Sequence, residues 1–587
     1  MSQTRCGPKI DGYPRGPASP TATGLGVLNV FDYYDEFSDG TPTEWIQKCV
    51  NLAINQQLPL YFPASSGSVQ APYYLTGKII VDGACHLLGP PAESSFSQGP
   101  APPYPVTESG RAMFWTDDPT LEMVCVVFTG NVIIENIDFC VVPSSSPTTG
   151  GGRAVHVRGG SGPNKILNSV MYGPWTGVYV DAGGGLEIDN VTVIPYATTS
   201  GSGQYGFMTD GTLSGDANDT QLTNCIVDQS QYPFSGPPGS ATPHTVDAFV
   251  SQNSYATTIF KHCSAIAADT GFLAQTVPPG TGNVSFFQVL DSQAYNCNTS
   301  VELGTVSICV VEGGTFTTDT SSGTQPNATQ IFGISVPPST TGGAITLRNN
   351  IIIGNGTTPM VGLDLQSGST VAVAGGAILG CGPQAAGAVG DGISICGTTS
   401  GSQFTIGGIV VSGSSRAGLH IGAGHLGAAN VTALTLAGNV NAASSSSAGI
   451  LIDALTGSAP GIVTIADCVI IGNNVQVSNG NVAVTTGAVL PMKLANNAGY
   501  NPAGPPTVTI PAPVMGVTYA NNTGVDEFVY LLGTSASTTG SVSLDGTAPP
   551  VTQPVGPTQS MYVVPAGSTI ELQLGNPAPT GWIWVGN

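Results

Sequence analysis

A short phrase recurs along this chain every ~20 to 40 residues, the range in which solenoid repeats fall. It reads apolar, any residue, Asn or a small substitute, then an apolar or small residue followed by further alternation. Copies stand at Ile134-Glu135-Asn136-Ile137-Asp138-Phe139, Ile188-Asp189-Asn190-Val191-Thr192-Val193 and Leu222-Thr223-Asn224-Cys225-Ile226-Val227. Others follow at Phe260-Lys261-His262-Cys263, Leu347-Arg348-Asn349-Asn350 and Ile465-Ala466-Asp467-Cys468. A second phrase alternates with it: Gly177-Val178-Tyr179-Val180, Gly206-Phe207-Met208-Thr209, Gly271-Phe272-Leu273-Ala274 and Gly333-Ile334-Ser335-Val336. It continues at Gly362-Leu363, Gly392-Ile393, Gly418-Leu419 and Gly449-Ile450. Period-2 alternation sets Val178, Phe207, Ile334, Leu363 and Leu419 on one face and Tyr179, Ser335, Asp364 and His420 on the other. Strands this short bury nothing alone. Stacked turn on turn, they close a continuous core with equivalent residues about 4.8 Å apart.

The expected fold is therefore all-β, a right-handed parallel β-helix. In its register Asn136, Asn190, Asn224 and Asn349 form an amide ladder at a tight turn, each satisfying its neighbour's backbone. Cys225, Cys263 and Cys468 stack inside, one position later, and Phe207, Phe249 and Phe272 form an interior aromatic stack. The cysteines show no CxxC and no zinc spacing, so buried free thiols are expected, with no metal and no cofactor. Acidic loops offer oxygen ligands for calcium, but no EF-hand or glycine–aspartate nonapeptide accompanies them.

Both ends differ from the middle. Thr41-Pro42-Thr43-Glu44 has the layout of a capping box with Pro at the first helical position. Trp45, Ile46, Cys49, Val50, Ala53 and Ile54 follow at helical spacing, which predicts an amphipathic helix over the open end of the solenoid. After Asn497 the pattern changes to six short strands, ending in Trp582-Ile583-Trp584-Val585, which predicts a small C-terminal β-sandwich. The domain reading is an arm at 1–25, the capping helix and opening segment at 26–110, the β-helix at 111–497, a linker at 498–506 and the sandwich at 507–587. Trp582 and Trp584 alternate onto one face and read as core aromatics ahead of a sugar platform.

The formal net charge of −22 argues against nucleic acid, whose phosphates it would repel. No apolar run is long enough to span a bilayer, and Met1 to Lys9 carries no signal-peptide core. A soluble chain made in a reducing cytosol is expected, with no membrane insertion.

Asp39-Gly40, the capped helix, Leu60-Tyr61-Phe62-Pro63 and Tyr74-Leu75 together resemble the opening segment of the pectate-lyase-like superfamily. More narrowly, the segment is similar to that of bacteriophage tailspikes and related virion fibres. The usual acidic stretch before the helix is present only in a loose form, Asp35-Glu36-Phe37-Ser38-Asp39-Gly40. The likeness runs over about residues 26 to 490 and speaks to fold more than to chemistry. It implies a virion protein assembled in the host cytoplasm, a homotrimer, and attachment to other virion proteins through the N-terminal arm.

Three functions stay open: a spike or fibre that recognises bacterial surface polysaccharide, a depolymerase cutting that glycan by hydrolysis or elimination, and a head or collar decoration. Aligning the second phrase puts Asp181, Asp210, Gln252 and Gln275 in one column. Carboxylates on adjacent turns would sit about 5 Å apart, the separation of a retaining glycosidase, which makes Asp181 and Asp210 the candidate catalytic pair. Strand-end Asp and Gln also cap turns, the competing structural reading. Trp175, Tyr179, Tyr205, Tyr232 and Tyr255 are candidates for sugar stacking, with Gln252 and Gln275 as binding amides. The insertion at 229–246 would wall the site, with Asp216, Asp219 and Asp228 nearby. No Lys/Arg-rich lyase constellation is visible. His156, Arg158, His244 and His262 remain, and His262 reads as a member of the Asn ladder.

Overall fold

The computed structural model describes residues 26–33, 40–64, 73–91, 110–127, 130–142, 151–158, 163–181, 185–196, 203–211, 219–231, 245–254, 257–277, 284–319, 328, 330–338, 341–366, 368–382, 389–397, 399–441, 447–455, 461–479, 484–486, 492–499, 511–532, 539–546, 553–554, 560–575 and 581–586. The expected N-terminal arm, the acidic stretch before Gly40, most of the expected linker and the strand at Thr507 lie outside these residues. The chain divides into two compact units between Ile334 and Ser335. Both contain turns of a parallel β-helix.

In the first unit each turn gives one strand to a first sheet and a bent strand to a second. The first sheet runs through Ile79–Val81, Glu122–Val126, Arg153–Val157, Thr176–Val180, Gln204–Asp210, Val246–Gln252, Thr270–Gln275 and Thr299–Leu303, each parallel to the next. Val124, Val155, Val178, Phe207, Phe249, Phe272 and Val301 share one inward column and are all buried. Ile188, Leu222, Phe260 and Val289 of the second sheet, also buried, complete the core. The expected stack is present: Phe249 lies 5.3 Å from Phe207 and 5.0 Å from Phe272, with near-parallel rings.

The second sheet bends where the Asn ladder was expected, and its corner has a backbone cause. Asn136, Asn168, Asn190, Asn224, His262 and Asp291 occupy one column with φ between 48° and 57°. This is the left-handed region, where Asn, Asp and Gly cost least; the next turn uses Gly313 at φ 68°. Asn190 donates to Asn168 at 2.9 Å and Asn224 to Asp189 at 3.0 Å, so the polar tips also ladder. The glycine of the second phrase is steric: a Cβ on Gly206 would lie 2.4 Å from Val227.

The helix Pro42–Gln56 begins with the capping box, Thr41 and Glu44 each bonding the other's backbone. It packs on Leu60–Tyr61, Tyr73–Tyr74, Ile79–Val81 and Cys85–Leu88. Ile79–Val81 is the terminal strand of the first sheet. Gln47 donates to the Ile80 carbonyl at 2.8 Å and accepts from its amide at 2.7 Å, standing in for a further strand. That blunts an edge other chains could pair with.

The second unit repeats the pattern through Met360–Leu365, Asp391–Ile395, Ala417–Ile421, Ala448–Ile452 and Val475–Asn479. A separate Asn column six positions past the corner bonds neighbouring backbones, Asn439 accepting from the Ser414 amide and Asn473 from that of Asn439. Beyond the turns, two antiparallel sheets enclose a core of Tyr519, Val529, Leu531, Val542, Val564, Ile570, Leu572, Trp582 and Trp584. Trp582 donates to the Pro511 carbonyl at 2.7 Å and meets Trp584 edge-on, so both rings face inward. Every described cysteine is free, and all but Cys396 are buried. No described helix is long and apolar enough to cross a membrane.

Candidate functional site

The outward face of the first sheet in the first unit carries the candidate residues. Register pairs Asp210 with Gln252 and Gln252 with Gln275, and Val180 with Thr209, which sets Asp181 beside Asp210. The column read from the alignment is therefore the column in the fold. Its members are tied to one another and to the neighbouring turns. Gln275 donates to the Gln252 side chain at 3.0 Å. Asp210 accepts from the Tyr179 hydroxyl at 2.8 Å. Burial and then that bond raise the Tyr179 pKa, holding the phenol neutral. Tyr179, Met208, Val250 and Leu273 form a buried apolar stripe under the column, with Tyr205 half-buried against it. Trp175 is buried and donates its indole N–H to the Gly203 carbonyl at 2.8 Å, so its ring forms wall rather than rim.

Other expected residues fall elsewhere. Asp228 accepts from the Ser230 amide at 2.9 Å and closes a turn. Asp219 accepts from the Thr257 amide at 3.4 Å. His262 sits at the left-handed corner, as its place in the Asn ladder implied. Tyr232, Tyr255, Asp216, His244 and most of the 229–246 insertion lie outside the described residues.

A basic constellation not seen in the sequence does assemble in three dimensions. Asp181 is buried and faces His156 Nε2 at 3.0 Å and Arg158 Nε at 3.5 Å. The other nitrogen of His156, Nδ1, lies 2.9 Å from Glu122. Arg153 bonds Glu122 at 3.0 Å and lays its guanidinium over the Tyr179 ring, 3.6 Å from the centroid. Lys78 adds a third cation, 3.8 Å from Glu122. Burial alone would raise the Glu122 pKa, but His156, Arg153 and Lys78 together hold it below its usual value. Glu122, Cys125 and His156 also bring their donor atoms within 4.8 Å of one another. Arg153 already lies against two of the three, with Lys78 and Arg158 adjoining, so the charge there is set against a cation.

The second unit contains the same arrangement. His420 Nδ1 is 3.0 Å from Asp391 and its Nε2 is 3.0 Å from Asp453. Arg416 bonds both oxygens of Asp391, through Nε at 2.8 Å and through Nη2. In both copies the first carboxylate stands three positions before the residue paired with the histidine. The second stands two positions beyond the residue paired with it on the following turn. Each histidine thus clamps three successive turns.

Further along the site face, Asp247, half-buried, is paired with Tyr205 and Thr270. Its pKa is pushed up to about 7, first by burial and then by the charge of Asp269. Glu302 is raised as well, by burial and then by Asp269.

No family model matches the sequence, and no curated protein matches it. Among solved structures, the chain is similar to the tailspike protein of E. coli bacteriophage HK620 in complex with a pentasaccharide. That match has 11% identity and a TM-score of 0.37, over 95% of this chain and 92% of that one. A second is tailspike gp49 of Acinetobacter baumannii bacteriophage Fri1, a capsular polysaccharide depolymerase, at 10% identity and TM-score 0.29 over 96% and 88%. A third is the Dettilon tailspike, at 11% identity and TM-score 0.31 over 96% of each chain. The likeness is one of fold.

Proposed function

We propose that this chain recognises a bacterial surface polysaccharide as a spike or fibre of a bacteriophage particle. The observation that carries this reading is the Asp181–Asp210–Gln252–Gln275 column, with Tyr205 and Gln275 at its accessible rim. Hydrogen-bonding groups repeated at about 4.8 Å along a rigid sheet, next to an aromatic face, suit a polymer of repeating sugars. The test is to mix purified protein with capsule and lipopolysaccharide from candidate hosts and measure both retention and polysaccharide size. Retention that falls at least about tenfold in Gln252→Ala/Gln275→Ala supports the reading. Retention untouched by that change, or no retention by any polysaccharide, removes it.

A second reading, cleavage of the same glycan, is favoured by one feature. A carboxyl group titrating near 7 beside other carboxyls is the pairing that glycoside hydrolysis needs. In this reading Asp247 is the general acid, and Asp181 and Asp210, which the register sets five positions further along the strands, are the alternative carboxylate pair. Asp247→Asn should then abolish the fall in polymer size by ~10²-fold or more and leave binding in place. An acid must be protonated to act, so the rate should decline as pH rises through about 7. Asp269→Asn removes a raising charge and should move that decline to lower pH. Cleavage that persists in Asp247→Asn but disappears in Asp181→Asn or Asp210→Asn would reassign the acid.

We also propose that copies of the chain associate. Chains of net charge −22 repel except where charge is missing, and the C-terminal three-stranded sheet has such a face. Met561, Tyr530 and Ile583 form one row across it, and Val563, Phe528 and Val585 the next. The four aliphatic residues are 40% to 52% exposed. Isolated exposed apolar residues are ordinary, but a contiguous patch marks a contact. Ile583→Lys should lower the mass found by sedimentation from that of an oligomer, expected to be a trimer, toward that of one chain. An unchanged mass would exclude this face.

A further inference from the structure

We propose that the Lys78–Arg153–Arg158 cluster is an anion subsite that reads the carboxylate of an acidic sugar, an inference that rests on the glycan reading above. The whole chain has only 13 Lys and Arg against 35 Asp and Glu, yet three of those cations converge here. Against them stand two carboxylates, Glu122 and Asp181. The second unit shows what the turn-to-turn clamp alone requires: a single Arg, Arg416, with Asp391 and Asp453 about His420 and with Asp364 near by. Lys78 and Arg158 are the additions, and both project outward, 45% and 47% exposed. Both lie within electrostatic reach of Cys125.

The placement fits a polymer. Val157 pairs with Val180, so Arg158 stands beside Asp181 and extends the Asp181–Asp210–Gln252–Gln275 column by one turn. Its Nε lies 3.5 Å from Asp181. No hydrogen bond among the described residues occupies its two terminal nitrogens, and a guanidinium fork matches a carboxylate. Arg153 is committed to Glu122 and to the Tyr179 ring and supplies field rather than direct contact. Lys78 supplies a second, movable positive charge. In a chain this acidic, an anionic polymer needs such a place to land.

The test offers full-length protein a panel of uronate-bearing capsular polysaccharides, each beside its carboxyl-reduced form, together with neutral capsules. A native uronate polymer should bind at least about tenfold tighter than its reduced form, and added salt should narrow the gap. Lys78→Gln/Arg158→Gln should erase the gap, so that native and reduced polymer bind alike. Arg158 also faces the buried Asp181, so a thermal melt must first show the double variant folded, and Lys78→Gln alone should narrow the gap without touching that pair. Equal binding of native and reduced polymer, or a gap that survives in the double variant, overturns the subsite while the glycan reading stands. Binding of no polysaccharide in the panel overturns both.

Discussion

Replacing Asp391 with alanine is expected to cost about 3 kcal/mol of stability, among the largest losses available from one side chain outside the core. Asp391 is fully buried at its carboxylate, which holds Arg416 and faces His420. Removing one partner of a buried ion pair leaves the other charge uncompensated, at a cost of about 3–5 kcal/mol. The low end applies because Arg416 is about a third exposed and partly rehydrates. The same clamp makes a pH prediction. Burial lowers the His420 pKa, but the hydrogen bonds and charge of Asp391, with Asp453, outweigh it, so the folded value lies above 6.5. A group raised on folding contributes fully below its unfolded pKa and loses that contribution as pH rises through the folded one. Asp391 behaves oppositely. Burial raises it, the bonds from Arg416 and His420 outweigh that, and it stays below 3.8. Its share is present above 3.8 and is lost only as pH falls through the lower folded value. The clamp is therefore strongest between these limits, in mildly acidic solution. Melting temperature should fall as pH rises from 6.5, and His420→Gln should flatten that slope. A slope unchanged in His420→Gln would mean the clamp does not titrate as described.

What could be read from the sequence was whatever a repeat writes in one column. The Asn corner was legible because the left-handed backbone selects Asn, Asp or Gly turn after turn. His262 and Ala433 adopt the same φ, which shows that the corner fixes the backbone first and the side chain second. The Asp/Gln column was legible for a similar reason, since the Gly-Phe phrase anchors each copy. The clamps were hidden because they join unlike residues across turns of unequal length. His156 is 34 residues from Glu122 and 25 from Asp181, while His420 is 29 from Asp391 and 33 from Asp453. No fixed spacing reveals such a set. Extending the Val178 alignment back two turns, to Val155 and Val124, would have brought Arg153 beside Glu122 and His156 beside Cys125. Trp175 was harder to place. An aromatic at the start of a strand has the same sequence whether it faces sugar or, as here, a carbonyl inside the wall.

Phe249→Ala should be the most damaging core change in the first unit, about 4 kcal/mol, and should exceed the same change at Phe272 or Phe207. The ranking matters more than the magnitude. All three rings are buried to 2% or less, so area removed from water predicts nearly equal losses. Their neighbours differ. Phe249 stacks on both Phe207 and Phe272 and also tilts against Phe260 at 5.5 Å. Phe272 keeps Phe249 and a tilted contact to Phe260 at 5.8 Å, whereas among the described residues Phe207 stacks on Phe249 alone. Each aromatic pair adds about 0.5–1.5 kcal/mol beyond burial, so the expected order of loss is Phe249, then Phe272, then Phe207. In a solenoid each turn contacts only its neighbours, and loss of the central ring loosens two interfaces at once. The outward residue following Phe249 is Val250, and Gln252 lies two further along the same strand. Phe249→Ala should therefore weaken glycan retention at temperatures well below unfolding, while Phe207→Ala should not. Denaturant melts giving equal losses for the three variants would show that burial alone, and not the stack, holds this part of the site.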